Sequence, residues 1–323
     1  MTMTKRALLA VPALLALPGR APAQSAWPDR PVRVIVPFPG GSTPDIAARA
    51  VANHFQQIFG QPFVIENRAG AGGAIGTDAI AKATDGHTIG VSIGGPASTA
   101  RILNPALPYD PVADLVPVSW LVRLPIVLAV HPSVPVRSLA ELIAYAKANP
   151  GKLNYGSIGS GTLGHLFSAD FAARHGLEMV HVPFRSVPQA VTELVAGRIE
   201  IMAAVSGAVL GQMREGTARA LAISSDGRFA PAPEVPTMTE LGEGAPAWAW
   251  IALFAPAATP PARVARLAEE AARALAVPET VRTLAAAGFE VVGSGPDALR
   301  ALVAAEIGRW GPVITRLGIR PES

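Results

Sequence analysis

The sequence predicts an α/β protein made of two successive units. Three observations point there: short β-branched runs alternate with longer Ala- and Leu-rich segments of helical period, the alternation occurs twice, and an apolar stretch without helical period separates the two series. With 323 residues, half of them hydrophobic and 16% charged, the chain can bury one large core or two of medium size.

The first unit opens with a strand over 32–36, VRVIV, where β-branched side chains favour extended backbone. A helical pattern over 45–59 follows, with Pro44 at its first turn, then a strand over 63–66, a helix over 74–83 and a strand over 87–93. Residues 115–130 are rich in Val, Leu and Ile but broken by Pro117 and Pro125, and are read as strands crossing from one unit to the other. Ser138-Leu139-Ala140-Glu141 has the capping-box form and marks a helix start. The second unit repeats the rhythm: strand 153–157, helix 162–175 stopped by Gly176, strand 179–182, helix 188–196, strand 200–204, helix 207–215 and strand 219–224. The apolar run 250–255 predicts a second crossing, and helices near 263–275, 279–287 and 297–317 close the chain. No fixed-period repeat, heptad or charge block interrupts this order.

Residues 1–23 are read as a secretory signal. Lys5 and Arg6 precede an apolar run from Ala7 to Leu17, and Ala21-Pro22-Ala23 supplies a small-residue cleavage site. That run falls well short of the roughly 20 residues a spanning helix needs. The segment carries Lys5, Arg6 and Arg20 and no acid, so the surplus of 27 basic over 24 acidic residues disappears on its removal. A formally neutral mature chain gives no support to nucleic-acid or anionic-lipid binding. The absence of cysteine excludes thiol catalysis and Cys-ligated metals.

Two loops carry the functional expectation. In "VPFPGGSTPDIAAR" the residues Gly40, Gly41, Ser42 and Thr43 lie between a predicted strand and a predicted helix, at the carboxyl end of the one and the amino end of the other. Open α/β sheets bind ligands there, and the free amides and dipole of a helix start favour an anion. "NYGSIGSGTLGHL" repeats the grammar in the second unit with Ser157, Gly159, Ser160, Gly161 and Thr162, and His165 stands beside it. Facing each other, the two loops would surround a small carboxylate with hydroxyls and amides and no cation. "HVPFRSVP" adds a third loop before a helix, where Arg185 is the obvious cation; a solvated surface arginine is the competing reading. For either main loop alone, an ordinary capped turn is the simpler alternative.

Other motifs are weaker. Gly90-Val91-Ser92-Ile93-Gly94 has the form of a hydrolase nucleophile elbow, which would make Ser92 a nucleophile in an exported serine hydrolase, but Ser92 falls inside the alternation of Ile89, Val91 and Ile93 and no oxyanion-hole segment accompanies it. "GAGGAIG" fails the dinucleotide pattern at Ile75 and lacks a Walker lysine, so a helix-start turn is expected. The six histidines show no ligand spacing, and no metal or other cofactor is expected.

The ordered stretches "WPDRPVRVIVPFPGGSTPDIAAR", "VIENRAGAGGAIGTDAIAKATDGHT", "LPYDPVADLVPVSWL", "AYAKANPGKLNYGSIGSGTLGHL", "MVHVPFRSVPQAVTELVAGRIEIM", "PEVPTMTELG", "WIALFAPAATPPARVARL" and "EIGRW" resemble the substrate-binding receptors of tripartite tricarboxylate transporters, the Bug family, over nearly the whole mature chain. The resemblance implies a two-lobed type II periplasmic-binding fold with a ligand cleft between the lobes. Lobe 1 would comprise 27–124 and 252–323, and lobe 2 125–251. It also implies a periplasmic protein that captures a small carboxylate, performs no catalysis and delivers its ligand to transporter membrane subunits. By position, the ligand contacts would fall on Phe38, Gly40, Gly41, Ser42, Thr43 and Asp45, on Ser157, Gly159, Ser160, Thr162 and His165, and at the third loop on Arg185. A carboxylate at Asp45 would repel an anion unless it caps amides, and capping is the reading adopted. The third loop departs from the family pattern with "PFRS", and Ala203, Ala204 and Val205 stand where relatives often carry polar residues. A less polar ligand end is therefore expected.

Overall fold

The computed structural model describes residues 27–321, so the signal segment lies outside the described residues. The chain runs through β1 (Val32–Val36), α1 (Thr43–Phe59), β2 (Phe63–Asn67), a 3-10 turn at Ala71–Gly73, α2 (Ala74–Ala81) and β3 (Thr88–Ile93). A π-helical turn at Gly95–Thr99 and the short α3 (Ala100–Leu103) lead to the long β4 (Leu115–Val130). There follow α4 (Leu139–Ala148), β5 (Leu153–Ser157), α5 (Leu163–His175), β6 (Met179–Pro183), α6 (Val187–Val195), β7 (Ile201–Val205), α7 (Ser206–Arg214) and β8 (Arg219–Ile223). The last elements are β9 (Trp248–Pro256), α8 (Pro261–Ala276), α9 (Pro278–Ala286), β10 (Glu290–Ser294) and α10 (Pro296–Arg316).

The strands lie in the order β2-β1-β3-β9-β4-β7-β5-β6, with β8 and β10 also paired to β4. Where the sequence predicts several crossing strands, β4 is one strand of 16 residues serving both halves. Its residues up to Pro125 pair with β9 and β10, and Ile126 to Val130 pair with β7 and β8. Proline cannot donate to a ladder, yet both prolines are accommodated: Pro117 sits at a shift of register against β9, and Pro125 is the last residue to pair with it.

Each half buries both faces of its sheet, as parallel-rich sheets require. On one face of the first half, α1 and α8 bring Val51, Phe55 and Leu267 onto Val34, Val36 and Val91; on the other, α2 and α10 bring Ile80, Leu299 and Val303 onto Ile35 and Trp250. In the second half β4 alternates, Ile126 and Leu128 joining Leu166 and Phe171 while Val127 and Ala129 join Leu194 and Val209. Full burial of each large side chain contributes about 1.5–3 kcal/mol. The end of α10 crosses over, since Trp310 and Ile314 belong to the second half's cluster. The long crossing strand and this helix therefore fix the two halves on either side of a cleft.

Candidate functional site

The cleft holds a cavity of about 80 Å³, open to solvent at its mouth. Its floor is formed by the crossing strands through Leu124, Ile126, Trp248 and Trp250, and the turns at the carboxyl ends of β1, β3, β5 and β6 converge on it.

In the first loop Gly41 adopts φ +78°, a conformation glycine accepts without strain. Ser42 is the extended N-cap residue of the 17-residue α1, but its side chain caps nothing. Only 7% exposed, it lines the cleft with an Oγ that has no hydrogen-bond partner among the described residues. Asp45 instead holds the loop that precedes the helix and leaves the first-turn amides uncapped: its Oδ2 accepts from Gly41 N (3.0 Å) and Arg49 Nε (2.8 Å), and its Oδ1 accepts from Asn67 Nδ2 (3.0 Å). Asn67 Nδ2 also donates to Phe38 O (2.9 Å), tying the loop to β2. Burial alone would raise the Asp45 pKa, but the hydrogen bonds from Arg49, Gly41 and Asn67, with the charge of Arg49, bring it below the ordinary carboxylate value.

The second loop turns on Gly159 (φ +119°) and Gly161 (φ +77°). Ser157 Oγ accepts from Gly159 N (3.1 Å) and lies 2.7 Å from His181 Nε2, and Thr162 Oγ1 donates to Gly159 O (2.7 Å). Gly161 N donates to His165 Nδ1 (3.1 Å), and the His165 ring stacks on His181 with centroids 3.9 Å apart. Burial, helped by the charge of His181, pushes the His165 pKa down to about 3. His165 is thus a neutral acceptor that shapes the loop. Thr162, the N-cap residue of α5, also makes no side-chain cap bond.

The third loop is different because its helix start is closed. Ser186 Oγ accepts from Gln189 N (3.4 Å), and Gln189 Oε1 accepts from Arg185 N (3.1 Å). The uncapped starts of α1 and α5 are therefore the ones presented to the cleft. Turns of the first half touch the second loop: a β-carbon on Gly95 would stand 2.7 Å from Gly161 O, and one on Gly72 3.4 Å from Thr162 Cγ2.

Of the residues predicted from the sequence, Phe38, Ser42, Thr43, Ser157 and Thr162 line the cleft. Gly40, Gly41, Asp45, Gly159 and His165 build the loops behind it, and Ser160 borders an adjoining depression with Gly72 and Pro96. Arg185 is exposed and does not line the cleft, whereas its neighbours Ser186 and Val187 do. Ser92 is buried in β3, 2.8 Å from Thr77 Oγ1. Among the described residues no group of three or more His, Cys, Asp or Glu could hold a metal, and no helix is long and apolar enough to cross a membrane.

Sequence reasoning missed Glu306 on α10, which lines the cleft and is partly accessible. Burial raises its pKa; Trp250 and Trp310, with the charge of Arg309, oppose that only in part, and neither indole N–H makes a hydrogen bond of good geometry. Its trace in the sequence was the "EIGRW" stretch, an acid one helical turn before a tryptophan.

Residues 47–319 match the family described as "Tripartite tricarboxylate transporter family receptor". The chain belongs to this family. Protein BugT of Bordetella pertussis is 39% identical over 325 residues, covering 99% of each chain. A UPF0065 protein from the tcbD-tcbE intergenic region of Pseudomonas sp. is 39% identical over 299 residues, 91% of this chain and 88% of that one. Among solved structures, a Rhodopseudomonas palustris protein with adipate superposes with TM-score 0.85 at 34% identity, covering 92% of this chain and all of that one. MatC from Rhodopseudomonas palustris with bound malate gives 0.83 at 33% identity, over 89% of this chain and 100% of that chain. The fold is the two-lobed periplasmic-binding fold, and membership makes the protein a solute receptor rather than an enzyme; nothing supports the Ser92 hydrolase reading.

Proposed function

We propose that this receptor captures a small organic carboxylate between the starts of α1 and α5 and presents it to the membrane subunits of a tripartite transporter. The observation that carries the site is Ser42, whose buried hydroxyl has no partner among the described residues and lines the cleft at a 17-residue helix start that no side chain caps. A buried donor left unpaired is costly, and a helix start favours an anion, so a carboxylate oxygen meets both needs. The uncapped start of α5 supplies amides from the other side. The two related structures carry adipate and malate, both small carboxylates.

In this reading lobe 1 spans about 27–124 and 252–323 and lobe 2 about 125–251, and ligand closes one on the other. The Lys5-Arg6 pair, apolar run and Ala21-Pro22-Ala23 site direct export, so that the receptor works in the periplasm. The test is a melting screen of the mature chain against mono-, di- and tricarboxylates. A true ligand at 100 times its Kd adds about 2.7 kcal/mol of stability. If no carboxylate moves the transition, the reading fails.

A further inference from the structure

The cleft can be read for the rest of the ligand as well as for the carboxylate. Among the described residues its lining holds no Lys, Arg or His, and its single ionisable side chain is an acid, Glu306. Arg309, the nearest charge acting on Glu306, is engaged by the Ala245 and Pro246 carbonyls and does not line the cleft. Arg123, near the floor, stacks on Trp248 and pairs with Asp226 and Glu290. The walls between are apolar: Ile93, Leu124, Ile126, Ile158, Met202 and Val205.

Glu306 does not stand alone. Trp250, 1% exposed, also lines the cleft, and its Nε1 makes no hydrogen bond of good geometry among the described residues although Glu306 stands beside it. Both groups lie over Gly94, where a β-carbon would stand 3.2 Å from Glu306 Oε2 and 3.4 Å from Trp250 Nε1. Glycine at 94 is not required by its backbone, which is helical at φ −46°, so what its bareness provides is space beside these two polar atoms. An indole donor and a carboxyl acceptor side by side match a hydroxyl, which both accepts and donates.

We infer that the ligand is a monocarboxylate with an apolar body carrying a neutral hydroxyl-type group, and that Glu306 with Trp250 reads this group and disfavours a second carboxylate. The inference rests on the carboxylate reading above. A second carboxylate would enter a cleft of apolar walls with no cation to meet it, beside an acid that burial already disfavours as an anion, so the two carboxyls could not both ionise there and one would have to keep its proton. A hydroxyl would offer the indole N–H an acceptor of better geometry and give its own hydrogen to Glu306. Rejection thus comes from a repulsive element as much as from an attractive one.

Titration calorimetry on the mature chain with matched pairs tests this: 4-hydroxybenzoate against terephthalate and 6-hydroxyhexanoate against adipate, each pair differing in hydroxyl against carboxylate. The hydroxy acid of a pair is expected to bind at least about tenfold more tightly than its dicarboxylate, a difference of about 1.4 kcal/mol. In Glu306→Gln, which keeps an acceptor oxygen but cannot ionise, that ratio is expected to shrink by about tenfold. A structural role alone would weaken both members equally and leave the ratio intact. A dicarboxylate binding as tightly as its hydroxy partner, or an unchanged ratio in Glu306→Gln, overturns the inference while leaving the carboxylate receptor standing. Failure of every carboxylate, citrate included, overturns both.

Discussion

Ser42→Ala separates the two things a serine at a helix start can do. A serine N-cap normally stabilises its helix by about 0.5–2 kcal/mol through a bond to a first-turn amide. Here that bond is absent and the hydroxyl is buried without a partner, so the free protein loses no hydrogen bond on substitution. It sheds instead a desolvated polar group, worth roughly 1 kcal/mol, which corresponds to a rise in melting temperature of about 2 °C. Binding moves the other way. A hydroxyl that donates to a ligand carboxylate makes a hydrogen bond to a charged group, and its loss costs roughly 1.5–3 kcal/mol, about ten- to a hundredfold in affinity. Calorimetry gives both numbers on the same preparation, scanning the unliganded protein and titrating it with the tightest carboxylate found in the screen. A variant that melts lower and binds normally would show that Ser42 serves the fold and that the carboxylate sits elsewhere.

Three further outcomes follow from the loops. Asp45→Ala frees Gly41 N–H, Arg49 and Asn67 together and should lower stability by roughly 1.5–3 kcal/mol, the exposed side of Arg49 moderating the loss; denaturant unfolding measures it. Because the folded pKa of Asp45 is lowered, its contribution is complete above the ordinary carboxylate value of about 3.9 and fades as pH falls through the folded value. For His165, held neutral with a pKa of about 3, stability is complete above about 6.5 and declines below it at up to about 1.4 kcal/mol per pH unit. His165→Asn keeps an acceptor for Gly161 N–H and should flatten the pH–stability curve between 6.5 and 4.5 by one proton; an unchanged slope would refute the assignment. Gly95→Ala drives a β-carbon toward Gly161 O and should weaken ligand binding by roughly 1–3 kcal/mol by holding the two loops apart, read by titration and small-angle scattering.

Most of the architecture was legible in the sequence because local pattern and tertiary role agree. The runs at 32–36 and 153–157 coincide with β1 and β5, and Gly176, read as a helix stop, ends α5 in a left-handed conformation. β10 was missed, since Glu290–Ser294 is short, contains a glycine and is half-buried throughout, so it shows neither alternation nor a continuous apolar run. The turn at Gly95–Thr99 was missed as well, because a proline in a short Gly/Ala/Ser/Thr segment reads as loop. At the site, sequence reasoning found the loops but could not sort cleft from scaffold. Ser42 and Asp45 are three residues apart and both buried, yet one faces the cavity and the other the loop's own amides, a difference set by χ angles and by Asn67, which is distant in sequence. Glu306 left only the EIGRW stretch as a trace and its place at the cleft could not be read, because it is brought there by a helix that begins more than 200 residues after β3 ends.

The order of strands has a consequence for when the chain can fold. β3 and β4 are not neighbours; β9 lies between them, so the first half of the sheet is incomplete until residues 248–256 are available. β10 and α10 come later still, and α10 closes clusters in both halves. An emerging chain that lacks its last quarter therefore has no finished core in its first half, and its native pairings are among the most distant in sequence, which slows folding. For a protein proposed to be exported, the topology itself postpones completion of the first half until almost the whole polypeptide has been made, whereas β4 to β8 of the second half can pair earlier.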